Sequence, residues 1–94
     1  MVAFAEEHKI ALISCVETVL MSRGGPNYHL TVAKLNSLYD CTILDCYEHP
    51  DYLRTVLKDV YKEEYNSIID EIKLQLDELI YEKDLAQFFK TMES

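Results

Sequence analysis

Residues 65–79 read YNSIIDEIKLQLDEL, and within them Tyr65, Ile69, Ile72, Leu76 and Leu79 recur at intervals of 4, 3, 4 and 3. An apolar residue every 3.5 positions marks one helical face that needs covering, either by the rest of the fold or by a second chain. The run IIDEIKL (68–74) is followed by a degenerate copy, QLDELIY (75–81), so acidic pairs recur at Asp70–Glu71 and Asp77–Glu78. These acids flank the seam without filling it, which predicts a solvated acidic face. The spacing predicts a helix reaching about Glu82. Two heptads are short for an autonomous coiled coil. The seam is therefore expected to bury first against helices one and three, with a dimer partner covering what remains.

Upstream, a first helix is predicted from about Ala5 to Arg23, with Glu6 and Glu7 in its first turn, where the helix dipole favours negative charge. Leu12, Val16 and Val19 give it an apolar face flanked by Ile13 and Leu20. Gly24-Gly25-Pro26 stops it, because glycine takes the left-handed C′ position and proline cannot continue the helix. Asn27 can cap a second helix, about Tyr28 to Tyr39. Asp40 to His49 reads as a loop with one short helical turn around Thr42–Cys46. His49-Pro50 then opens a third helix to about Tyr61, with Leu53, Val56, Leu57 and Val60 inward. Lys62-Glu63-Glu64 carries no breaker, so helices three and four read equally as one bent rod or as two elements. Asp84 can cap a short last helix bearing Leu85, Phe88, Phe89 and Met92. No interval alternates as a strand would. The expected fold is all-α, four to five helices in a compact bundle spanning 1–94 as a single domain and completed by dimerisation.

Composition narrows the function classes. Two Gly and two Pro among 94 residues argue against an all-β or disordered chain, and 49% hydrophobic content against disorder. A net charge of −8 repels phosphate, which argues against nucleic acid and anionic membranes as partners. No apolar run is long enough for a transmembrane helix. The opening MVAFAEEHK has acids where a signal peptide carries bases, and three cysteines form no disulfide framework. The expected location is the cytoplasm.

Candidate chemistry is sparse. Cys41, Cys46 and His49 form C-x4-C-x2-H, with Asp45 and Glu48 between them, enough donors for a metal or a redox pair but not in the spacing of a zinc knuckle. The competing reading is two half-buried cysteines and a histidine whose ring caps a helix start. The acids at 63, 64, 70, 71, 77 and 78 lack the Glu-x-x-His pair of bundle metal sites. His8, His29 and His49 are available as bases, but no nucleophile stands in a strained or glycine-rich turn. Gly24-Gly25 closes a helix and is no phosphate loop. No catalytic residue, metal or cofactor is assigned. Arg54, Lys58 and Lys62 form a basic stripe at i, i+4, i+8. That is a docking patch for an acidic partner, or else surface pairing with Asp51, Asp59 and Glu63. Seven tyrosines with no tryptophan suit the rim of a core and equally a protein interface.

The stretch from Asp45 to Leu79, DCYEHPDYLRTVLKDVYKEEYNSIIDEIKLQLDEL, resembles the small helical domains of ammonia-oxidising and other archaea described as Nitrosopumilus output domains. The likeness rests on the EHPDYL helix start, the apolar rhythm of VLKDVY, and the pattern Tyr-x-x-Ile-Ile-x-x-Ile-x-x-x-Leu. It implies a dimeric helical module serving as an output or regulatory part of archaeal signalling. It also implies a glycine near position 62, where this chain carries lysine. No catalytic residues belong to the pattern. The reading is a non-enzymatic regulatory or protein-interaction module, an output or adaptor domain whose partners are a second copy of itself and an unidentified protein. Its main packing surface is Tyr65, Ile69, Ile72, Leu76 and Leu79, extended by Phe88 and Phe89. The alternatives are a metal or redox sensor using Cys41, Cys46 and His49, and a transcription-associated regulator.

Overall fold

Helix α1 spans Ala3–Ser22, and Gly24, at φ 122°, turns the chain into α2, Gly25–Tyr39. The computed structural model describes residues 3–93, with side chains from Glu7 onward. The expectations for Met1, Val2 and the Glu6 side chain lie outside these. Asn27 does not cap α2 as expected: the helix begins two residues earlier, with Pro26 in its first turn. Proline's fixed φ suits that position, and its missing N–H would have no intrahelical partner there.

Asp40, in the left-handed conformation, ends α2 by donating its backbone N–H to the Asn36 carbonyl, 3.0 Å away. A 3-10 turn at Leu44–Tyr47 follows, its entry held by the Asp45 carboxylate, which accepts from the Thr42 N–H at 3.0 Å. Helix α3 is Pro50–Tyr61, and its inward positions Leu53, Val56 and Leu57 are buried.

Two breaks that no glycine announces organise the remainder. Lys62, at φ 51° and ψ −110°, separates α3 from α4 (Tyr65–Leu76) through a 3-10 turn at Lys62–Glu64. Asp77, at φ 56° and ψ −123°, ends α4 in nearly the same way and opens a 3-10 turn over Asp77–Tyr81. Helices three and four are thus two elements. The seam helix stops at Leu76 and not near Glu82, because the backbone at Asp77 leaves the α region. Positive φ in a residue with a Cβ costs on the order of 1–3 kcal/mol and persists only where surrounding packing imposes it. Helix α5, Lys83–Glu93, closes the chain.

Among the described residues the fold is all-α, a helical bundle without strands. Helix α1 packs on α4 and α2, α2 on α3, and α3 on α5. One core unites Leu12, Val16, Val19 and Leu20 of α1 with Ile68, Ile69 and Ile72 of α4 and Leu85, Phe88 and Met92 of α5. The seam therefore meets α1 as expected. Arg23 clamps the same pair of helices from outside: its guanidinium donates to Glu71 Oε1 at 2.8 Å, to Ser67 Oγ at 2.9 Å and to Glu64 Oε1 at 3.2 Å.

Candidate protein-binding groove

The residues singled out by spacing divide sharply. Tyr65, Ile69, Ile72 and Leu76 are buried within the chain, as are Phe88 and Phe89, whose rings meet edge to face at 5.3 Å. Leu79 is half-buried in the 3-10 turn after α4. Tyr65 is fixed further by its hydroxyl, which donates to the Met92 carbonyl at 2.6 Å, and burial pushes that phenol up to about 12. These side chains form core within one chain and leave no continuous seam for a second.

The basic stripe is engaged locally, through backbone carbonyls and a ring, and, after Lys34, Lys62 also helps to hold the Asp59 carboxyl down, as surface pairing would have it. Arg54 donates to the Thr91 carbonyl at 3.3 Å, where it satisfies a carbonyl in the last turn of α5. The Lys58 ammonium lies 5.3 Å from the centroid of the Tyr65 ring. Lys62 donates to the backbone carbonyl of Asp59 at 3.2 Å, while the Asp59 carboxylate pairs with Lys34 of α2.

Cys41 and Cys46 are brought together, both buried and both free thiols. Burial pushes the Cys46 thiol far above its usual range, and Cys41, Asp45 and Asp51 add to the effect. Cys41 is raised mainly by burial as well. Thiolate is the form that ligates metal or attacks a disulfide, so both sit in an environment that suppresses that chemistry. His49 stands at the start of α3 without a side-chain capping bond; its ring instead stacks on Tyr52 at 4.7 Å, and Tyr52 stacks on Tyr39 at 4.2 Å. No cluster of three or more His, Cys, Asp or Glu groups suited to a metal ion occurs among the described residues.

Sequence reading missed a polar clasp between α1, the 3-10 turn at Leu44–Tyr47, and α5. Asp84, expected to cap a helix, accepts from the Tyr47 hydroxyl and lies 3.1 Å from His8 Nδ1 through each carboxylate oxygen. Burial alone would raise the Asp84 carboxyl, but the Tyr47 and His8 contacts outweigh it and hold the group below its ordinary value. The partners lie 37 and 76 positions away in the chain, so no local pattern announces them.

A groove with the character of a binding site lies where α4 breaks. Asp70, Lys73, Leu74, Asp77, Ile80 and Tyr81 line a shallow, mainly apolar depression of about 410 Å³. Tyr81 and Leu74 are the two most exposed large apolar side chains among the described residues, at 81% and 79%. Single exposed leucines are common and carry no message. Two of the most exposed side chains sharing one depression do, since exposed apolar patches mark interaction sites. Leu74 is not among the seam residues that spacing picks out. Spacing puts Tyr81 on the face of Leu74, two turns on, but it did not announce the break at Asp77 beyond which Ile80 and Tyr81 line the depression. The other tyrosines are half-buried or buried, which makes Tyr81 the exception to a core-rim reading.

No family model, curated protein or solved structure matches this chain. No helix among the described residues is long and apolar enough to cross a membrane.

Proposed function

We propose that this chain is a non-enzymatic protein-interaction module that acts in the cytoplasm as an output or adaptor unit of a signalling system. The resemblance of residues 45–79 to the archaeal output domains motivates the signalling context. The observation that carries the binding role is the pairing of Leu74 and Tyr81, both about four-fifths exposed, in one groove. Tyrosine is favoured at the centres of protein interfaces because its ring covers a large area with few rotatable bonds. A second copy of the chain is one partner this reading admits. It would meet Leu74 and Tyr81, since Ile69, Ile72 and Leu76 are already covered by α1 and the rest of the core.

Capture from cell extract tests the role when run with matched variants. Leu74→Asp combined with Tyr81→Asp is expected to lose a partner that the wild type retains. Leu38→Asp, at a 62%-exposed leucine on α2, is expected to keep it. Identical capture by all three, with all three folded, would refute the reading.

A further inference from the structure

Resting on that reading, we infer that the groove takes a cationic amphipathic helix of another protein, one that presents Leu or Phe anchors beside Lys or Arg. Its apolar surface is the half-buried Ile80 flanked by the protruding side chains of Leu74 and Tyr81, which suits the i, i+3, i+4 anchors of a helix laid across it. Its charge is one-signed in effect. Lys73 lines it, but the Lys73 ammonium lies 2.6 Å from Glu93 Oε2 and 5.8 Å from the Phe89 ring centroid, so its charge is answered within the chain.

Asp70 and Asp77 also line the groove, both exposed and neither in an ion pair among the described residues. Asp70 precedes Leu74 by one helical turn on α4, and Asp77 sits at the break. Glu78 and Glu82 are exposed in the turn that follows, beside one exposed lysine, Lys83, and the whole chain carries −8. A cationic partner is steered to such a surface and held in register by it, whereas like charge across an interface is penalised. The same argument disfavours a second copy here, because a two-fold interface would set the Asp70 and Asp77 side of each chain against its own image.

The test is a titration of the isotopically labelled 94-residue chain with three synthetic helical peptides: Leu/Lys with its leucines on one face, a Leu/Glu counterpart, and a Leu/Lys peptide of scrambled order. The faced Leu/Lys peptide is expected to bind, with the largest amide shifts between Asp70 and Tyr81. Leu74→Ser with Tyr81→Ser, which leaves net charge unchanged, is expected to weaken it by about tenfold or more. Asp70→Asn with Asp77→Asn is expected to weaken it at low salt and flatten its salt dependence.

Equal binding of the faced and scrambled peptides, or indifference to the Leu74/Tyr81 variant, would show general charge attraction and overturn the inference. Equal or tighter binding of the Leu/Glu peptide would overturn the cationic specificity while leaving the groove as a protein-binding face. Self-association abolished by Leu74→Ser would make a second copy the occupant. No binding of any peptide, with partner capture still dependent on Leu74 and Tyr81, would overturn the helix-in-groove chemistry and leave the proposed interaction role standing.

Discussion

Replacing Lys62 by glycine is expected to stabilise the chain by about 1 kcal/mol. Lys62 holds φ 51° and ψ −110°, where a Cβ is crowded and glycine is not. Relief of that strain is worth on the order of 1–3 kcal/mol. Against it stand the extra freedom glycine gives the unfolded chain, roughly 0.5–1 kcal/mol, and the exposed 3.2 Å bond from Lys62 to the Asp59 carbonyl, a few tenths of a kcal/mol at the surface. The net gain corresponds to a melting temperature about 4–8 °C higher for a domain of this size. Lys58→Gly supplies the control of opposite sign. Lys58 is also exposed but lies inside α3, where glycine costs about 1 kcal/mol. It also lies over the Tyr65 ring, a contact worth about 0.5–1 kcal/mol. Urea unfolding followed by far-UV circular dichroism, fitted with a common slope, reads both changes. A Lys62→Gly midpoint that falls as far as that of Lys58→Gly would refute the assignment of strain to this junction.

Tyr61→Phe is expected to change stability by less than about 1 kcal/mol, because the buried Tyr61 hydroxyl makes no well-formed hydrogen bond among the described residues and has only the Thr31 side chain as a near partner; a larger loss in urea unfolding would show that the Thr31 contact is a full hydrogen bond. Asp84, with its carboxyl held below the ordinary value, contributes stability that is present above the unfolded pKa of about 3.9 and lost as pH falls through the lower folded value. Asp84→Asn is therefore expected to flatten stability against pH below about pH 4, as measured by melting temperature from pH 2 to 7; an unchanged acid slope would contradict the clasp. The Cys46 thiol, pushed up by burial, is expected to resist a chromogenic disulfide reagent at pH 8 in the native chain and to react at once in denaturant; fast native labelling of Cys46 would revive a redox role.

Local patterning reached most of the fold. Pro50 to Tyr61 coincides with α3, and the buried side of α5 is the predicted Leu85, Phe88, Phe89 and Met92. The seam was legible as a covered face because burial on a helix repeats with the helical period. Its end was not: Lys62 and Asp77 adopt positive φ without glycine, and only tertiary packing imposes that. The groove was partly legible, since Asp70, Leu74, Asp77 and Tyr81 share one helical face by spacing, but the break after Leu76 that shapes it was not. The Asp84 clasp joins residues from three distant segments, beyond the reach of any periodicity. Cys41 and Cys46 show the reverse case, in which a visible spacing proved to be a buried pair of thiols set against reactivity.

The central claim is that the chain works through the groove beside Leu74 and Tyr81 and not through its seam. Site-specific photocrosslinking in living cells tests it most directly, with a photoreactive phenylalanine analogue placed at Tyr81 in one variant and at the comparably exposed Leu38 in another. The account predicts a discrete protein adduct from position 81 and none from position 38. An adduct from position 38 with none from position 81 would contradict it.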